Sequence, residues 1–166
     1  MASPSEPILL RAILALQSAL QGISKAGGYH YDVKATSVAL EPVALQTIPT
    51  SELPYFIVGL VEEGLSLTAR SYQGARYVKD VWSFPLVARV DADGADPLRK
   101  IRAGINLIAD VEKAVHVDLS LGNLVIDTRL EPLANETTVT FGNQNQVYVK
   151  QLVSVRLNPR PLGQMG

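Results

Sequence analysis

The sequence predicts an α+β fold: a mostly antiparallel sheet with two amphipathic helices packed on one face and a long hairpin arm. Three observations carry that expectation. Apolar residues recur at spacings of three and four in two stretches, Ile8 to Ile23 and Leu98 to Val115, while Tyr77–Val90 and Gln146–Leu157 alternate apolar and polar positions. Apolar residues make up 47% of 166 residues, enough to bury a core without disulfides or metal. The expected organisation is one domain over residues 1–158 and a flexible tail over 159–166, whose two prolines and two glycines break any apolar period.

The first helix is expected to start near Ser5. Ser3 and Glu6 have the spacing of a capping box, and Pro4 would occupy the first helical position, where a missing N–H costs nothing. Leu9, Ile13, Leu16 and Leu20 form one face, with Leu10, Leu14 and Ala15 beside it. Polar positions Arg11, Ser18, Gln21 and Lys25 lie on a single stripe, so the segment reads as amphipathic and too polar to span a membrane. Gly27-Gly28 is expected to stop the helix through left-handed backbone angles.

A first strand follows over Tyr31–Leu40, with Val33 and Val38 as core contacts, and then a proline-containing loop over residues 41–54. Tyr55–Val61 is continuously apolar, as a central strand would be. Glu62 to Arg76 has turn formers at its ends and fits a hairpin arm. In Tyr77–Val90, Trp82, Phe84, Leu86, Ala88 and Val90 share one face, and Pro85 marks an edge or bulge. Asp96 is the expected cap of a second helix beginning at Pro97, with Leu98, Ile101, Ile105, Ile108, Val111 and Val115 as the stripe that lies on the sheet. Leu124–Leu130 and Gln146–Leu157 close the fold as strands, and the polar segment Ala134–Asn145 between them reads as a loop or hairpin tip.

Composition removes several function classes. Lysine plus arginine (15) nearly balance aspartate plus glutamate (16) and are spread along the chain, against strong electrostatic binding of nucleic acid. No cysteine is present, so thiol catalysis and thiolate metal sites are excluded, and the chain suits a reducing compartment. The first six residues lack the positive region of a secretion signal. Neither a nucleophile elbow nor a glycine-rich phosphate loop occurs. The two histidines each open a His-x-Asp triplet, His30-Tyr31-Asp32 and His116-Val117-Asp118, which in extended backbone would set a nitrogen and a carboxylate on one side, as a metal site needs. Both triplets follow helix ends, where capping and turn roles are the commoner use, and no catalytic, cofactor or metal residue is assigned.

Arg70, Tyr72, Arg76 and Tyr77 interleave cations and aromatics, the composition of a protein interface. The apolar surplus on the first helix, Leu10 and Leu14, Leu67 in the arm, and Phe141 in the polar segment complete the candidate interface residues.

The order of these elements resembles the tail terminator (tail completion) proteins of long-tailed bacteriophages. The residues carrying the resemblance are Ile13–Ile23 leading to Gly28-Tyr29 and Asp32-Val33, then Leu53-Pro54-Tyr55-Phe56-Ile57-Val58, then Trp82–Val90, and finally Ile101–Ala114 continuing into Val117-Asp118-Leu119-Ser120-Leu121-Gly122-Asn123-Leu124-Val125. The resemblance implies a structural virion protein, assembled in the host cytoplasm. It would form a hexameric ring, cap the tail tube, stop its polymerisation, and offer the surface to which head-tail connector proteins join. DNA would pass through the lumen without specific binding. Head-tail connector or neck proteins share much of this plan and are the alternative. A small metal-dependent enzyme using the two His-x-Asp pairs is a second.

Overall fold

Two long antiparallel strands form the spine of the molecule, and most of the main sheet is built on them. The computed structural model describes residues 7–61, 64–65, 67–70, 81–118, 121, 125–132 and 137–157. In chain order these form α1 (Ile8–Gln21), β1 (Val38–Ala39), β2 (Tyr55–Val58), β3 (Leu60–Val61), β4 (Gly64–Leu65), β5 (Thr68–Arg70), β6 (Val81–Asp91), α2 (Arg99–Val117), β7 (Val125–Pro132), β8 (Val139–Phe141) and β9 (Gln146–Leu157). The main sheet runs β1-β2-β6-β9-β7, with β5 also on β6 and β8 also on β9. All its pairings are antiparallel except the short parallel β1–β2 contact. The fold is α+β, as the periodicities predict.

The spine pairs Val81 with Arg156 through to Asp91 with Gln146. Alternation then divides the side chains between two faces. Phe84, Leu86, Ala88 and Val90 of β6 and Val147, Val149, Val153 and Val155 of β9 join Ala12, Ile13, Leu16 and Leu20 of α1 and Leu107, Val111, Ala114 and Val115 of α2 in one buried cluster. Both helices therefore cover the same sheet face.

Pro85 lies inside β6 without weakening its pairing to β9. Its carbonyl accepts from the Gly59 N–H at 2.7 Å, so the position where it lacks an N–H also faces the β2 side. There β2 ends and the chain turns at Gly59, whose φ of +79° suits glycine.

Several boundaries differ from the sequence reading, each for a local reason. The first helix begins at Ile8 behind Pro7 and ends at Gln21. Gly27 closes a separate 3₁₀ turn over Lys25–Gly27, and Gly28, at φ +88°, terminates that turn and not the helix. Ser3, Pro4, Ser5 and Glu6, the expected capping set, lie outside the described residues.

The first strand shrinks from Tyr31–Leu40 to Val38–Ala39. Its earlier backbone groups are spent elsewhere: the Tyr31 N–H on Asp110, the Val33 N–H on the Ile23 carbonyl, and the Ala35 carbonyl on Gln21. Val33 and Val38 are nonetheless buried, as expected. The apolar run at Tyr55 ends as a strand at Val58, earlier than expected; β2 lies between β1 and β6 with Phe56, Ile57 and Val58 buried, as its apolar run predicts. The expected arm is only partly free of the sheet, because β3 and β4 make a small hairpin of their own while β5 pairs with β6. In 134–145, β8 and β9 form a hairpin across Gly142–Asn145. The tail after residue 157 lies outside the described residues.

The opposite sheet face is partly covered by the loop that carries the prolines. Leu45 and Ile57 are buried there with Val43, Ile48, Tyr55, Val87 and Tyr148 packed around them. Arg89, only 4% exposed, pins the loop: Nη1 donates to the Leu45 carbonyl at 2.8 Å and the Ile48 carbonyl at 3.0 Å. Nε and Nη2 donate to the Asp91 carboxylate, so the buried guanidinium is neutralised where it is desolvated. Part of this second face is thus covered by the chain itself.

Candidate assembly surface

The second helix turns a different face to the sheet from the one its isoleucines suggest. Its buried residues are Ala103, Gly104, Leu107, Asp110, Val111, Ala114 and Val115. Leu98, Ile101 and Ile105, expected on the sheet, are 55%, 46% and 58% exposed, and Ile108 is half-buried. The reason is closeness. A Cβ on Gly104 would stand 2.8 Å from Val139 Cγ1 and 3.4 Å from Val147 Cγ1, so only a bare backbone lets β8 and β9 approach here. A face led by Ile101 and Ile105 would hold the helix away from both strands.

Asp110 fixes the same rotation chemically. Its side chain, buried on the inner face, accepts from the backbone N–H of His30 at 2.9 and 3.0 Å and of Tyr31 at 3.0 Å, and its Oδ1 lies 2.9 Å from His30 Nδ1. Tyr31 donates from its hydroxyl to the Ala103 carbonyl at 3.2 Å. Burial first, then the negative charges of Asp110 and Asp93, push the Tyr31 hydroxyl up to about 12. Lys113 donates to the Gly27 and Gly28 carbonyls at 3.3 and 3.0 Å and lies 4.6 Å from the centre of the Tyr29 ring. The segment 27–31 is thereby fastened along α2.

At the other end of α2, Asp96 accepts from the Leu98 N–H at 2.9 Å and pairs with Arg102 at 2.8 Å. The Leu98 N–H, ahead of Arg102, lowers the Asp96 carboxyl pKa. Asp96 is not the cap that the sequence predicts: the regular helix starts at Arg99 with Leu98 at the capping position, because Asp96 is spent on the turn just ahead of it. Lys100 donates to the Gly142 carbonyl at 3.1 Å and lies 5.6 Å from the Phe141 ring centre, and Arg99 donates to Asn145 Oδ1 at 3.0 Å. These contacts bind the β8–β9 turn to the start of α2 and hold Phe141, 53% exposed, on the flank of the helix beside Lys100.

The sequence-predicted interface residues divide as follows. Leu10 is 41% exposed and Leu14 is half-buried on the outward side of α1. Leu67 is half-buried and packs on the core, so it contributes less open surface than expected. Arg70 pairs with Val81 in the β5–β6 ladder. Tyr72, Arg76 and Tyr77 lie outside the described residues. Leu98, Ile101 and Ile105 leave the core in which the sequence places them, and their exposure adds them to the open apolar surface.

The two His-x-Asp triplets do not adopt the extended geometry that a shared ligand site would need. His30 turns to Asp110, while Asp32 accepts from the Lys25 N–H at 2.7 Å. His116 and Val117 form the last residues of α2, and Asp118 follows its end. Among the described residues, no group of three or more His, Asp or Glu side chains is placed to hold a metal ion. No described helix is long and apolar enough to cross a membrane.

The α+β class and its two-helix layer are what the fold defines. No family model matches the chain, and no curated protein matches it either.

Proposed function

We propose that the chain is a ring-forming structural subunit, a tail terminator that caps a phage tail tube, stops its growth and presents the surface for head joining. The observation that supports this best is the presence of two unlike apolar surfaces. One is on α1 at Leu10 and Leu14; the other is on α2 and β8 at Leu98, Ile101, Ile105 and Phe141. A closed ring of identical subunits needs a heterologous contact in which one patch meets a different patch on the next copy. Exposed apolar residues grouped on one helix flank, with polar groups around them, are the usual mark of a protein contact. The order of elements that resembles the tail terminators supports the same reading.

Light scattering and negative-stain imaging of the purified chain test the proposal, with a closed ring of roughly six copies as the expected result. Added to polymerising tail-tube protein, the ring should limit tube length. A ring that leaves tube growth unchanged would favour a head-tail connector instead. A chain that stays solitary at high concentration would remove the assembly reading.

A further inference from the structure

We infer that the outward stripe of α2 in one copy packs on the outward face of α1 in the next, with Glu112 and Arg11 as the pairing charges. This contact deepens the ring reading and rests on it.

Leu98, Ile101, Ile105, Ile108 and Glu112 recur at steps of three, four, three and four, which places them on one side of α2. Glu112 is exposed and has no ion-pair partner among the described residues. On α1 the inward face is taken by Ala12, Ile13, Leu16 and Leu20, which leaves Leu10, Arg11 and Leu14 outward. Arg11 is likewise exposed and without an ion-pair partner among the described residues. Each helix thus carries a charge without an ion-pair partner among the described residues, in line with open apolar side chains, and the two charges are opposite.

The geometry fits one crossing. When the helices cross antiparallel with Arg11 at Glu112, three residues forward on α1 and four residues back on α2 each advance about one turn. Leu14 then lies over Ile108, and Ile105, seven residues back from Glu112, faces Ser18, seven residues forward from Arg11. The alternative of a nucleic-acid backbone on this stripe is disfavoured by chemistry, because Glu112 repels phosphate and the neighbouring Arg102 already pairs with Asp96.

The test is dilution light scattering on the full chain carrying Arg11→Glu, Glu112→Arg, both together, or Ile105→Asp, with circular dichroism to verify folding. All three positions are exposed, so the variants should fold. Each single reversal should raise the concentration for half-assembly about tenfold, and the double reversal should return it toward wild type. Ile105→Asp should leave folded, solitary subunits. Single reversals that assemble like wild type, or a double reversal as weak as both singles combined, would overturn the contact while leaving a wild-type ring standing. Pairs in place of a ring, rescued by the double reversal, would keep the contact and remove the ring. A wild-type chain that never associates removes both.

Discussion

The two helices lie on the same sheet face and solve the packing problem in opposite ways. α1 turns its largest apolar residues inward, with Leu16 and Leu20 fully buried. α2 turns in Ala103, Gly104 and Asp110 beside Leu107, Val111, Ala114 and Val115, and leaves three large apolar side chains in water. The inward face is therefore chosen by what the facing elements require. Against α2 those are close strands at Gly104 and a set of backbone donors that need a carboxylate. The total of apolar surface on a helix does not settle its orientation; the shape and hydrogen-bonding demand of the site do.

The sharpest way to break the comparison is to truncate one large apolar residue on each helix. Leu16→Ala should cost about 2–5 kcal/mol, because the site is fully enclosed and leaves a cavity. Ile105→Ser, measured by urea unfolding where the subunit is solitary, should stay within about 0.5 kcal/mol of wild type. Equal losses would show that Ile105 is enclosed in the folded subunit and that α2 meets the sheet through its isoleucines.

Next in size is the carboxylate that orients α2. Asp110→Ala removes the shared acceptor of two backbone N–H groups and of His30, so unfolding should come easier by about 1–3 kcal/mol. Hydrogen exchange at the amides of His30 and Tyr31 should rise more than at β6. If those amides stay protected, Asp110 is not what holds the segment.

The smallest effect expected is alkaline. The Tyr31 hydroxyl is raised to about 12 from an ordinary 10.0, so the folded protein holds its proton where the unfolded chain releases it. That contribution is complete below pH 10 and declines as pH rises toward 12. Tyr31→Phe should flatten this decline, read from melting curves across that range. A slope that is unchanged in the variant would assign the loss to another group.

Much of the architecture is legible in the amino-acid order. The alternation of Trp82, Phe84, Leu86, Ala88 and Val90 defines one face of β6, and that of Val147, Val149, Val153, Val155 and Leu157 defines β9, because period-two patterns leave few alternatives. Leu10, Leu14 and Phe141 stand out as apolar surplus, and each has open or half-open surface. The orientation of α2 escapes the pattern of its isoleucines, although the sequence does carry a signal for it. Asp110 stands in line with Leu107, Val111 and Ala114, and a lone acid on an otherwise apolar stripe marks a buried acceptor when donors face it. Alternation puts Arg89 on the face away from the helices, but its role as the pin of the 43–48 loop depends on two carbonyls more than forty positions away.

By itself the amino-acid order determined the balance of charge, and it determined the two helices, the long strands β6 and β9 and the class of fold, since these follow from local propensity and from periods of two and 3.6 residues. Only the folded chain decided which side of α2 meets the sheet, where the first strand begins, and what covers the second sheet face. Those outcomes depend on distances between residues far apart in sequence, Gly104 against Val139, Asp110 against His30 and Tyr31, and Arg89 against Leu45, and no local pattern encodes a distance.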